Sequence, residues 1–200
     1  MNIQNIVFDF GGVLVDWNPR YLYREHFSNQ EEMEHFLHHI CTDAWNVEQD
    51  RGRSLAEGTR ILQEQHPAHH DLIALYYDRW ETMLHSDIPQ TVALLHRLKK
   101  RYRLFGLTNW SAETIPVAFA RYPFFREFEG IVVSGHEKLI KPDPAIYQVL
   151  LDRYGIQAQE SLFIDDNPAN VRAAESLGFH GVHFKSPEQL EQTLIALQML

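Results

Sequence analysis

Cysteine is nearly missing. Cys41 stands alone in 200 residues, so no internal disulfide can staple the chain, which fits a reducing compartment. No apolar run reaches the roughly 18 residues that a membrane-spanning helix needs. Positive charge is scarce as well: 18 Lys and Arg face 27 Asp and Glu, for a formal net charge of -9. That balance argues against broad nucleic-acid binding and offers anionic lipid no basic patch. A phosphate-bearing ligand must then be attracted locally, by a metal or a few cations. Met1-Asn2-Ile3-Gln4-Asn5 places no basic stretch ahead of an apolar one, so a signal peptide is not expected and a cytoplasmic location is. Internal repeats and low-complexity tracts are also lacking. What remains is ordinary for a globular chain, 44% hydrophobic and 22% charged. Its length suits one domain that holds an insertion.

One stretch organises the rest: Ile6-Val7-Phe8-Asp9-Phe10-Gly11-Gly12-Val13-Leu14-Val15-Asp16. A short apolar run reads as a buried central strand over residues 3–8. It ends in the Asp9 carboxylate, and two glycines then allow a sharp turn and close approach to a ligand. Ligands of open α/β sheets bind beyond the C-terminal edge of the strands. Asp9 is therefore placed either as a nucleophile or as a cap on the strand-to-turn transition.

From Trp17 to about residue 86 the spacing is helical throughout, with no strand signal. Arg20 to Phe27 forms one helix. Ser28 is the expected N-cap of the next, with Glu31 three residues on and Met33, Phe36, Leu37 and Ile40 as its apolar stripe. Thr42 or Asp43 opens a third, and Ser54 opens a fourth that runs to about Gln65. A fifth covers about 69–83. Past Asp87-Ile88-Pro89 strands and helices alternate. The strands are Arg103–Leu107, Gly130–Ser134, Ser161–Ile164 and His180–Phe184, with helices at about 90–100, after an N-cap at Ser111, from Asp143 or Pro144 to about 153, at about 168–177 and from Pro187. Alternation of this kind predicts a parallel sheet with helices on both faces. The first strand must join that sheet, so the core is discontinuous: residues 1–16 and 87–200, with a helical insertion over 17–86.

Four polar features sit at or beside strand ends: Asp9, Thr108-Asn109, Lys141 and Asp165-Asp166. A parallel sheet brings such ends to one edge. Their chemistry is mutually consistent. A carboxylate can attack phosphorus, a hydroxyl and an amide can hold phosphate oxygens, a lysine adds compact positive charge, and clustered carboxylates suit a hard divalent cation such as Mg²⁺.

In sequence order, Asp9-Phe10-Gly11-Gly12-Val13-Leu14, Leu107-Thr108-Asn109, Lys141-Pro142-Asp143-Pro144 and Ile164-Asp165-Asp166-Asn167 resemble the motifs of the haloacid dehalogenase superfamily of phosphatases. The likeness is to subfamily I, with a helical C1 cap inserted after the first strand. The resemblance implies an α/β fold with a Rossmann-like parallel sheet core, helices on both faces and an inserted helical-bundle cap. It implies a hydrolase of phosphoric monoesters that uses Mg²⁺ and forms an aspartyl-phosphate. Asp9 would be the nucleophile and a metal ligand. Lys141 would orient the phosphate that Thr108 and Asn109 also bind. Asp166 would ligate the metal directly, with Asp165 nearby and ligating it through water, and the Gly11 carbonyl as a further ligand.

The chain departs from the usual pattern at Gly11, where such phosphatases have a second aspartate that protonates the leaving oxygen and then activates water. Sugar-1-phosphate phosphatases with glycine in that place resemble this chain. Three readings stay open: a substrate with a better leaving group, such as a sugar 1-phosphate; another acid, with Asp16, Glu48 or a cap histidine as candidates; or weak catalysis. In the cap, Trp45-Asn46 with Glu48, Gln49 and Arg51 is the most polar-aromatic cluster. It reads either as substrate contact or as a helix burying one Trp. Trp110 could touch substrate or pack beneath its loop, and Asp16 is a further cap-boundary candidate. Arg20, Arg24 and the His38-His39 and His69-His70 pairs are expected on the solvated surface. The expected partner is a small phosphorylated metabolite, with no nucleic acid and no membrane. A monomer is expected, with a dimer as the alternative. The competing functions are 2-haloacid dehalogenation without metal, which adjacent carboxylates beside a carboxylate nucleophile disfavour, and a weakly active binding protein.

Overall fold

A computed structural model describes residues 2–200. From the N-terminus, β1 (Asn5–Phe8) and β2 (Val15–Trp17) precede six helices: α1 (Arg20–Tyr23), α2 (Gln30–His39), α3 (Asp43–Asp50), α4 (Leu55–Gln65), α5 (His70–Asp78) and α6 (Trp80–Met83). After β3 (Leu84–Asp87) the chain alternates through α7 (Pro89–Leu98), β4 (Arg103–Thr108), α8 (Ile115–Arg121), β5 (Gly130–Val133), α9 (Ser134–Glu137), α10 (Pro144–Tyr154), β6 (Ser161–Asp165), α11 (Pro168–Ser176), β7 (His180–His183) and α12 (Pro187–Ala196).

The main sheet is parallel, in the order β5-β4-β1-β6-β7. Its register sets Phe8 opposite both Gly106 and Ile164. One residue further, the Asp9 backbone N–H still donates to the Ile164 carbonyl at 2.8 Å, which brings Asp9 level with Asp165. The two-residue period of a strand divides β1 between two apolar layers. Ile6 and Phe8 pack with Leu95, Leu98, Leu162 and Leu190, while Val7 packs with Phe105, Tyr147, Leu150 and Phe163. Each fully buried side chain of this size stabilises the fold by about 1.5–3 kcal/mol. The parallel sheet flanked by helices is the α/β architecture that alternation predicts.

The helical stretch differs from its sequence reading in several places. It is not strand-free: β2 and β3 pair antiparallel, Val15 with Asp87 and Asp16 with Ser86. Segments of three and four residues hold too little of a two-residue period to stand out. The Arg20–Phe27 helix stops at Tyr23. The N-cap of α2 is Asn29, whose side chain accepts the Glu32 N–H, and not Ser28. Asn and Ser cap about equally well, so the packing of Met33, Phe36 and Leu37 decides between neighbours. The 69–83 helix is interrupted at Arg79, giving α5 and α6. Ser111 does not cap α8; Thr114 takes the N-cap position, and the Ser111 hydroxyl accepts the Glu113 N–H. Thr42 and Ser54 do cap α3 and α4.

Candidate active site

The sheet's C-terminal edge gathers Asp9, Thr108, Lys141 and Asp165, all buried, with Asp166 exposed beside them. Lys141 is the hub. Its Nζ lies 3.0 Å from Asp9 Oδ1 and 2.6 Å from Asp165 Oδ2, and donates to the Leu107 carbonyl at 2.8 Å. Burial pulls the ammonium down, but the charges of Asp165 and Asp9 outweigh it and leave Lys141 raised. Burial also acts on Asp9, where it is the largest effect and pushes the carboxyl up to about 7. Lys141 opposes that rise, while Asp165 and Asp166 add to it. Asp166 is raised too, by burial and then by Asp165.

Carboxylate oxygens of Asp9, Asp165 and Asp166 lie within 4.8 Å of one another. Such a hard, crowded donor set suits a small divalent cation that takes oxygen ligands. The three carboxylates are not equivalent. Asp165 is already saturated, accepting from Lys141 Nζ, the Asn167 N–H at 2.8 Å and Asn170 Nδ2 at 3.1 Å. It serves chiefly to hold Lys141. Asp166 keeps its carboxylate free for a cation over Gly12, where an added Cβ would come within 2.5 Å of Oδ2. Gly12 also sits at φ +72°, a conformation glycine adopts without strain.

Thr108 supplies an orphan: its buried Oγ1 has no hydrogen-bond partner. A buried hydroxyl without a partner costs free energy unless a ligand satisfies it. Asn109 lines the adjoining cleft, but its side chain also fixes Lys141, donating to the Lys141 carbonyl at 3.0 Å and accepting the Lys141 N–H at 2.8 Å. It therefore places the lysine as well as facing the ligand space.

That cleft runs from Gly11 and Asn109 into the helical segment, lined by Trp17, Asn46, Asp50, Tyr77, Trp80, Trp110, Ser111 and Thr114. Of the expected cap contacts, Asn46 and Trp110 face it and three do not. Trp45 is buried in the segment's own core, donating from Nε1 to the Gly58 carbonyl at 3.0 Å and packing edge-on against Tyr76. Its apolar ring is worth more there than in solvent. Arg51 pairs with Glu48 at 3.7 Å in solvent. Asp16 accepts the Tyr21 hydroxyl at 2.6 Å within the ribbon. Gln49 is fully buried, donating to the Trp45 carbonyl and to the Tyr77 hydroxyl. Asp50, Tyr77 and Trp17 are wall residues that periodicity did not single out, and Trp80 was expected only in a helix's apolar stripe; a carboxylate at the last position of a helix was the available signal for Asp50.

Known proteins place this geometry. The chain is 28% identical to the sesquiterpene phosphatase astK of Aspergillus oryzae over 179 residues, 88% of this chain and 87% of that one. Two other curated relatives are far longer. The chain spans 7% of acyl-CoA dehydrogenase family member 10 of Mus musculus, at 39% identity over 36% of this chain. It spans 17% of drimenol cyclase drtB of Aspergillus calidoustus, at 30% identity over 46% of this chain. Among solved structures, a HAD-like family hydrolase of Porphyromonas gingivalis superposes with a TM-score of 0.73 at 25% identity, covering 99% of this chain and 98% of its own. A HAD family enzyme of Bacteroides thetaiotaomicron, solved with magnesium and inorganic phosphate, has the same fold, with a TM-score of 0.68 at 24% identity and coverage of 92% and 94%. Residues 3–178 match one family along nearly the whole sheet and its insertion, and the chain belongs to it: the haloacid dehalogenase-like hydrolases.

Proposed function

We propose that this hydrolase is a Mg²⁺-dependent phosphomonoesterase acting on a small phosphorylated metabolite. The observation that supports it most is the juxtaposition of three carboxylates around one buried lysine with an unpartnered Thr108 hydroxyl beside them. The first group suits a cation and the second a phosphate oxygen. The named activity of the Aspergillus oryzae relative points the same way.

In this reading residues 1–16 and 87–200 are the catalytic core and 17–86 the cap. Asp9 is the nucleophile, and its carboxylate oxygen displaces the leaving alcohol from phosphorus to give an aspartyl-phosphate that water hydrolyses. Asp9, Asp166 and the Gly11 carbonyl would hold Mg²⁺, with Asp165 behind them. When bound, the metal supplies Lewis-acid stabilisation of charge on the phosphoryl oxygens. Lys141 holds Asp9 in place and shares that charge, and Thr108 and Asn109 orient the phosphate. The aromatic wall of Trp17, Tyr77, Trp80 and Trp110 selects a leaving group with a flat or ring-shaped apolar face, and polar edges that Asn46 and Ser111 can meet. A sugar phosphate, a sugar 1-phosphate first, is the substrate class to try. Metal-free dehalogenation is disfavoured because Asp165 and Asp166 would stand uncompensated beside Asp9.

The test is release of phosphate from a panel of sugar phosphates and aryl phosphates, with Mg²⁺ or with EDTA, for wild type and Asp9→Asn. Turnover that needs Mg²⁺ and vanishes in the variant is expected. Halide release from 2-haloacids that persists in EDTA overturns the reading.

A further inference from the structure

An acid–base group is missing from the nucleophile's own loop, and the cleft that opens at the gap has a carboxyl in its wall. A Cβ added to Gly11 would meet nothing within 4 Å, so the space where a side chain would stand is open cleft. Gly11 forms one part of that cleft's wall and Asp50 another. Asp50 is held there through both its carbonyl and its carboxylate. Its carbonyl accepts the Ser134 hydroxyl at 2.6 Å, and the same hydroxyl accepts the Trp110 N–H at 2.9 Å. Its carboxylate accepts a hydrogen bond from Asn46 Nδ2 at 3.3 Å, and Ser111 stands beside it in the cleft wall. The backbone of Asp50 is thereby tied, through Ser134, to the loop after β4, and β4 is hydrogen-bonded along β1, the strand that leads into Asp9.

Local folding gives no reason for a carboxylate at this position. Asp50 is the last residue of α3, where the helix dipole opposes negative charge. No other carboxyl and no imidazole lines the cleft among the described residues. Asp16 is occupied by the Tyr21 hydroxyl and Glu48 lies beside Arg51.

We propose that Asp50 is the general acid and base for the reaction at Asp9, reaching from the helical segment into the space that glycine leaves at position 11. This rests on the phosphatase reading. In the first step Asp9 bonds to phosphorus, the bond from phosphorus to the leaving oxygen breaks, and that oxygen takes the Asp50 proton. In the second step Asp50, now a carboxylate, takes a proton from the water that attacks the aspartyl-phosphate. The phosphorus–Asp9 bond breaks, phosphate leaves, and Asp50 is again protonated. The net change is hydrolysis of one monoester by one water. Burial pushes the Asp50 carboxyl up to about 7, against the opposing effect of the Ser111 backbone. The titratable groups that face it, Tyr76 and Tyr77 of α5, are themselves raised by burial and stay neutral.

The experiment compares wild type, Asp50→Asn, Gly11→Asp and the double variant on phenyl phosphate and 4-nitrophenyl phosphate with Mg²⁺. Nitrophenolate leaves without much help from a proton, whereas phenolate does not. Asp50→Asn should lower kcat/KM for phenyl phosphate by about 10²–10⁴-fold and for 4-nitrophenyl phosphate far less. With the latter, a burst of one nitrophenolate per active site should precede slow turnover, because hydrolysis of the intermediate has lost its base. Adding Gly11→Asp to Asp50→Asn should recover phenyl phosphate activity. Equal losses on both substrates, or none, overturn the proposal and leave Asp50 as an anchor of α3. A wild type that releases phosphate neither from these two substrates nor from the panel of sugar phosphates overturns the phosphatase reading itself. Thermal melts of each variant separate loss of fold from loss of chemistry.

Discussion

Lys141 joins two carboxylates and a backbone carbonyl through one ammonium, with no exposed side-chain surface. Removing it strands Asp9 and Asp165 in a dry site. Breaking one side of a buried charge cluster typically costs about 3–5 kcal/mol, because the abandoned charge keeps its desolvation penalty. Lys141→Met is expected to lose about that much stability in urea melts performed in EDTA, and to lose activity as well. At this scale the sequence was readable where a residue's role follows from its place at a strand end. Asp9, Thr108, Asp165 and Asp166 stand at or just past such ends, and the structure brings them together with Lys141. It was unreadable where a role depends on which way a helical side chain turns. Trp45 and Asn46 are neighbours in α3, yet one is buried among cap aromatics and the other faces the cleft. Asp50 offers only its place at the last position of α3 as a signal, a weak one, since a lone carboxylate in a helix is most often just solvated.

Elements show the same division. Long helices with strong stripes and the five strands of the main sheet follow from periodicity. Their ends do not, because adjacent residues of equal capping strength differ only in where tertiary packing fixes the first turn. At α2 the capping hydrogen bond belongs to Asn29. Asn29→Ala is expected to cost about 1 kcal/mol in urea melts and Ser28→Ala almost nothing; equal costs would mean the cap is shared. The approach of α4 to α3 is also beyond sequence patterning. A Cβ on Gly58 would collide with the Gln49 amide, and Gln49 in turn joins Trp45, Tyr77 and Arg53. That network fixes the turn of α3 that presents Asn46 and Asp50.

For the whole molecule, no helix among the described residues is long and apolar enough to cross a membrane, and the acidic balance leaves substrate capture to the local cations of the site. Asp50 also links the proposed chemistry to global stability. Its carboxyl is raised to about 7 in the folded chain from an ordinary value near 4. A raised carboxyl contributes stability that is fully present below its unfolded value and is lost as pH rises through its folded one. Asp50→Asn has no such titration. It is therefore expected to melt above wild type at pH 8, by about 4 kcal/mol or roughly 8–16 °C for a chain of this size, with the gap closing below pH 4. A constant gap across that range would show that Asp50 is not held in a desolvated place.

The β2–β3 ribbon holds the start and end of the helical segment side by side. A bend at this paired stem would swing the whole segment with little change to the sheet edge behind it. Asp9 would stay with the sheet, whereas Asp50, Tyr77 and Trp80 would travel with the helices once the Ser134 hydrogen bond to Asp50 is broken. An opened molecule would thus hold a nucleophile without its proton source. The two halves of the chemistry would meet only when the stem folds them together over a ligand, which keeps the reactive carboxylate idle toward whatever merely drifts past.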